Sequence, residues 1–439
     1  MKKFITTIKN IFAIEDLRVR IFNTLFFIAI FRLGSFVVLP GVDPNQLQAN
    51  TGGLFGLLDT FLGGAFSNAS IFALGIMPYI SASIVLQLLT IAVPYFQKMQ
   101  KEGESGRKKI NQITRVLTII ITLAQAVGFV ATLNAEAIVI NQTLFTITSM
   151  IVLTSGTIFC MWLGERITDK GIGNGISMLI MIGIISRFPG AIFAEALSKQ
   201  LNGALLFLFE MFVLFFVVMS VVMLTQAIRR IPVQYAKQVG GSSLYSGQRQ
   251  FIPLKVNAAG VMPIIFAQSL MFLPSMVASI WADSNETANY IGATFSDFTS
   301  WQYNLVFGLL ILVFTYFYTA ISVNPNQIAD DLKRSGGFVP GVKPGRATSE
   351  YIDTILTRIT LPGAIYLALV AIFPSIAMLL GVTREFSQFF GGTSLIIMVG
   401  VVLDTLQQVE SYLLMRHYDG MMKSGKLRGR TETIPTMAS

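Results

Sequence analysis

Between residues 21 and 414 the chain carries ten apolar stretches, each near the roughly 20 residues that a helix needs to cross a bilayer. They run approximately over 21–38, 71–93, 114–133, 146–163, 172–188, 204–228, 258–280, 303–323, 359–380 and 393–414. The fifth is the least regular, because it opens with glycines. A soluble core built from 439 residues could not hide 35 phenylalanines in a chain that is 53% hydrophobic. Only 13% of residues are charged, against roughly 25% in soluble domains. The expected fold is an all-α polytopic membrane protein with ten transmembrane helices.

The connections alternate sharply in charge. The N-terminus, the loops near 94–113, 164–171, 229–257 and 324–358, and the C-terminal tail hold 27 of the 32 Lys and Arg, and Arg115 lies beside them in the first turn of the third stretch. The intervening loops hold only Arg187, Lys199 and Arg384, and Arg32 lies within a span. The positive-inside rule puts the first set, and with it both termini, in the cytoplasm. An even number of spans also requires both termini on one side. The net charge of +9 is therefore mainly topology and does not argue for nucleic acid binding. The charged first 20 residues lead into a full-length apolar stretch with no A-x-A site, so a cleaved signal peptide is not expected.

Two basic loops exceed what a tight connection requires: 229–257, and 324–358 with its DDLKRSGGFVPGVKPGR. Gly and Pro punctuate both in a way that favours ordered hairpins over coil. They are either solvated linkers near anionic headgroups or a docking platform, the usual meaning of long loops in compact proteins. Residues 51–70, TGGLFGLLDTFLGGAFSNAS, are apolar but broken by five glycines and contain Asp59. They form either an external loop or a short helix near 54–61 that folds back into the membrane beside a cavity.

Several stretches carry polar groups that a lipid anchor has no use for. The second stretch contains GIMPYISASIVLQLL, with Pro78, Tyr79, Ser81, Ser83 and Gln87. Pro78 requires neighbouring helices to satisfy a freed carbonyl. Arg32 sits about 16 Å along the first span at 1.5 Å per residue. Asp404, Gln407, Gln408 and Ser411 make a polar face in the last span. Intramembrane ionisable groups are functional candidates. Here they read as an ion relay, a vestibule lining or helix-pairing groups.

Catalysis finds little support. Cys160 is the only cysteine, which excludes an internal disulfide and a cysteine metal site. It reads as a packed thiol, and the only histidine, His417, as an interfacial group just past the last span. GIGNGIS (171–177) lacks the GK[ST] ending of a P-loop, and its glycines suit a helix that starts close to its neighbours. Asp330–Asp331 is too little for a two-metal site. The chain is expected to be no enzyme and to need no cofactor, so any ATP hydrolysis belongs to a partner.

Six motifs, in order along nearly the whole chain, resemble bacterial SecY, the family of central subunits of the Sec protein-conducting channel. They are GIMPYISASIVLQLL, KEGESGRKKI (101–110), WLGERITDKGIGNGIS (162–177), PLKVNAAGVMPIIFA (253–267), NPNQIADDLKRSGGFVPGVKPGRAT (324–348) and FGGTSLIIMVGVVLD (390–404). The resemblance implies two inverted pseudo-symmetric halves, 1–203 and 204–439, around an hourglass pore. It implies a pore ring at Ile76, Ile80, Ile176, Ile180, Ile265 and Ile397, and a plug within 51–70 that includes Leu54, Phe55, Leu57, Leu58 and Phe61. A lateral gate would lie between spans 2–3 and 7–8, with Gln87 and Gln125 neighbours at its seam.

The same resemblance implies partners. They are SecE and SecG subunits, the SecA motor, a translating ribosome met through ribosomal RNA, signal peptides and nascent chains, SecDF and YidC, and membrane lipid. Candidate cytoplasmic contacts are Arg229, Arg230, Lys237, Arg249, Lys343 and Arg346. This chain departs from the family pattern in having Gly241-Ser242-Ser243 where the first loop tip carries arginines, and Lys343 where arginine is usual. Lys binds phosphate as a point charge without the bidentate fork. The competing readings are an ion-coupled transporter with broken helices at Pro78, Pro263 and 171–175, and a membrane-embedded transferase. The transferase lacks any acidic or histidine cluster to supply a metal or base.

Overall fold

A computed structural model describes residues 12, 14–46, 59, 62–133, 137–199, 203–235, 249–268, 270–271, 290, 292, 294–295 and 297–423. Its helices are α1 (Glu15–Gly34), α2 (Met77–Ala92), α3 (Pro94–Lys101), α4 (Glu104–Thr132), α5 (Gln142–Lys170), α6 (Gly175–Ser198) and α7 (Ala204–Gln226). The second part holds α8 (Trp301–Ser322), α9 (Pro325–Arg334), α10 (Arg346–Leu379), α11 (Arg384–Ser387) and α12 (Gly392–Lys423). Residues 262–268 are also helical and open the seventh apolar stretch, whose later part lies outside the described residues.

Among the described residues seven helices are long and apolar enough to cross a membrane, and the bent pair α2–α3 makes an eighth. Helix α1, which carries Arg18, Arg20 and Arg32, coincides with the first apolar stretch. The fold is an all-α polytopic membrane protein. Among the described spans, helix α7 is the least covered by the rest of the protein. Leu205, Leu208, Phe209, Phe212 and Phe215 stand exposed along it.

Local chemistry sets many boundaries. Asn141, Asn174, Ser300 and Asn324 cap α5, α6, α8 and α9 by accepting backbone N–H bonds of the first turn. The second span differs from expectation at its start. Residues 71–76 are turns, and Pro78 stands in the first turn of α2 rather than in a helix interior. Proline there frees no carbonyl, because first-turn N–H groups have no intrahelical partner anyway. No neighbouring helix is needed to repair it.

Among the described residues three apolar cores hold the elements together. The main one joins α1, α2, α5 to α8, α10 and α12. A second collects Leu39, Val42, Ala69, Ala73, Phe129, Phe145 and Leu153 at one end of the first spans. The third lies on the basic-loop side. There β1 (Ile228–Tyr235) and β2 (Arg249–Lys255) form an antiparallel hairpin with Ile231 opposite Ile252. The second basic loop is not a hairpin: it supplies α9, then β3 (Gly337–Phe338), which pairs with Gln234–Tyr235 of β1. Ile231, Val233, Leu254, Leu332, Val339, Ile352 and Leu356 close this core, so the two loops form one built unit and not free linkers.

Candidate functional site

All six isoleucines singled out in the sequence belong to the main core. Ile76, Ile80, Ile180 and Ile397 are buried there, and Ile176 and Ile265 pack against it half-buried. They come from the start of α2, the start of α6, residues 262–268 and the first turns of α12. The α6 pair arrives because α5 and α6 approach at backbone distance. A Cβ on Gly175 would lie 2.0 Å from the Gly164 carbonyl oxygen, and one on Gly164 would lie 3.1 Å from Ile176 Cγ1. The glycines of GIGNGIS thus let a helix begin against its neighbour.

The loop 171–173 is itself pinned between the first and last spans. Thr24 Oγ1 accepts from Ile172 N at 3.0 Å, Asn23 donates to Lys170 O at 3.2 Å, and Gln408 accepts from Gly173 N at 2.8 Å. The polar face of α12 therefore includes a packing contact. Asp404, on the same helix, is exposed.

Residues 62–70 pack against the body of the protein. Leu62, Ala65, Ala69 and Ser70 are buried, and a Cβ on Gly75, the residue before Ile76, would lie 2.4 Å from Leu62 Cδ2. Asp59 is buried too and forms an ion pair with Arg187 of α6. Its other oxygen accepts from Ser67 N at 2.8 Å, and Arg187 also donates to Ser67 Oγ at 3.0 Å. Arg32 of α1 donates to the Gly63 carbonyl at 2.7 Å. This network was not read from the sequence. Its only signals were Asp59 inside an apolar stretch and Arg187 on the side poor in cations. Leu54, Phe55, Leu57, Leu58 and Phe61 lie outside the described residues.

The remaining candidates divide. Gln87 of α2 and Gln125 of α4 are both half-buried on adjacent helices, and no hydrogen bond joins their side chains among the described residues. Arg229 and Arg230 are exposed on β1. Lys343 is exposed, and Arg346 pairs with Glu350 at 3.0 Å at the start of α10. Arg249 begins β2 opposite Gln234, with its side chain outside the described residues, as is the whole of Lys237 and the tip 241–243.

These features define a polytopic helical membrane protein in which isoleucines from several helices share one apolar core, beside a buried ion pair between a glycine-rich segment and α6. The SecY family model matches residues 70–406. The protein translocase subunit SecY of Streptomyces scabiei is 43% identical over 438 residues, covering 95% of this chain and all of that one. The chain belongs to the SecY family of protein translocase subunits, and so is a channel component and not an enzyme. Among solved structures, one describes a SecY plug domain that stabilises the closed translocation channel and maintains a membrane seal, at TM-score 0.64, 17% identity and 95% coverage of both chains. Another is Sec61 in the canine ribosome–channel complex from the endoplasmic reticulum, at TM-score 0.57, 16% identity and 95% coverage of both. The ion-coupled transporter reading gains no support from these relatives.

Proposed function

We propose that this chain is the pore-forming subunit of a bacterial inner-membrane translocon, with both termini cytoplasmic, gated by its six central isoleucines. The observation that carries the reading is their convergence from four helical segments on one apolar core. A ring of alkyl side chains gates by dewetting, since water and ions lose hydration partners there. Branched side chains are stiff at χ1 and suit a closing seal. Residues 1–203 and 204–439 are the two halves. The segment around 51–70 is the plug, docked by Asp59 and Arg187 on α6. Unfolded chains pass along the axis, and hydrophobic helices leave sideways between spans 2–3 and 7–8, past Gln87 and Gln125.

The sheet β2-β1-β3 with α9 is the cytoplasmic docking unit. Exposed Arg229, Arg230 and Lys343 suit phosphate contacts with ribosomal RNA or acidic contacts with the SecA motor, and a channel of similar fold is described in a complex with a ribosome. SecE and SecG are the expected membrane partners, with SecDF and YidC as accessory ones. The test is ion conductance of reconstituted channels carrying Ile76→Ser, Ile180→Ser and Ile397→Ser. Leakage should rise with each added serine, and unchanged leakage would refute the ring assignment.

A further inference from the structure

The start of α12 faces a small polar cavity that the channel reading does not use. Its walls come from Gln268, the start of α8, α10 around Pro374, Gln388 and the first residues of α12. Two glycines build it. A Cβ on Gly391 would lie 2.4 Å from the Val370 carbonyl oxygen, and one on Gly392, at φ +66°, would lie 3.2 Å from Pro374 Cγ. The α12 backbone can therefore begin against α10, with Thr393 and Ser394 of its first turn in the cavity wall.

Several donors in this wall are unused. Thr393 is 6% and Ser394 is 4% exposed, and neither hydroxyl makes a hydrogen bond among the described residues. Nothing there accepts from their backbone N–H groups either, and such first-turn groups carry the positive end of the helix dipole. Ser375 of α10 is also buried in the wall. Its Oγ accepts from Asn304 Nδ2 at 2.9 Å, so its own proton remains to be donated. Buried polar groups in a native fold find partners. Three hydroxyls and two N–H groups around one space call for an acceptor. No carboxylate lines the cavity, and Phe298 in its wall carries Arg384 over its ring at 5.2 Å.

We propose that this cavity is a halide site that holds one chloride ion, bound by the Thr393 and Ser394 hydroxyls and the first-turn N–H groups of α12, with Ser375 of α10 as a further donor. An anion at a helix N-terminus meets both the open donors and the dipole. Size and charge set the class. The cavity offers about 40 Å³, and one water needs roughly 10–15 Å³. A single small ion fits there with a water or two, and a nucleotide or sugar phosphate does not. No lysine or arginine lines the wall to offset a second buried charge, which favours a monovalent ion over sulfate or phosphate. Ile397 follows about one turn along α12, so the ion fixes the start of a helix that carries one of the six central isoleucines.

The test compares melting temperatures of the full chain with its partner subunits in lipid, in sodium chloride and in sodium gluconate at equal ionic strength. Chloride should raise the wild-type value, by about 1–2 °C at tenfold over its dissociation constant. Thr393→Val combined with Ser394→Ala should abolish that rise. The pair should leave melting in gluconate nearly unchanged, because removing buried hydroxyls that lack a partner costs little. A second measurement decides the matter if the double variant fails to assemble. Wild-type crystals soaked in bromide should show an anomalous peak within hydrogen-bonding distance of Thr393 Oγ1 and Ser394 Oγ. Equal wild-type melting in the two salts overturns the proposal, as does a chloride rise that survives the double substitution. A cavity that holds water alone in bromide overturns it too, and so does a bromide peak without chloride-dependent melting, which marks an adventitious ion only.

Discussion

Consider Asp59→Asn. The substitution keeps the shape of the side chain but leaves Arg187 without its carboxylate. Breaking a buried ion pair by removing one partner typically costs about 3–5 kcal/mol. Here the Asp59 side chain is 5% exposed but that of Arg187 is 33% exposed. Arg187 also keeps Ser67 Oγ at 3.0 Å, so water and a hydroxyl recover part of the loss. A net cost of about 1–3 kcal/mol to the docked arrangement corresponds to a shift of roughly 5–150-fold toward a state in which this segment leaves α6. The Arg32 bond to Gly63 remains and limits the shift. The assay is ion leakage from vesicles carrying the reconstituted channel, with Asp59→Asn, Arg187→Gln and the double substitution compared. Each single change should raise leakage, and the double should leak no more than the worse single, as expected for one shared interaction. Wild-type leakage in both singles, or effects that simply add in the double, would refute the docking argument.

Other outcomes follow from the same geometry. Stepwise serine substitution at Ile76, Ile180 and Ile397 should raise resting conductance cumulatively, read from single-channel recordings. Gly175→Ala should lower the melting temperature through a loss of about 1–3 kcal/mol, because its Cβ would meet the Gly164 backbone at 2.0 Å and the two helices must separate. Ile231→Ala, at a side chain 1% exposed, should cost about 2–5 kcal/mol. Hydrogen exchange should localise that cost to 228–235 and 249–255 and leave the spans protected.

The sequence by itself determined the class and the order of the spans. Apolar length and alternating loop charge act within single segments of the chain, so their signals are local and can be read in order. Tertiary structure decided what the polar groups inside the membrane are for. Asp59 meets Arg187 across 128 residues, Gly173 meets Gln408 across 235, and a two-residue strand from one loop completes the hairpin of the other. Such contacts form because a charge or an open carbonyl in a low-dielectric interior must find a partner wherever the fold brings one. Pairing of that kind leaves no spacing to read. Pro78 shows the converse: its place at a helix start is local chemistry, legible once the helix is seen to begin at Met77 and not at residue 71.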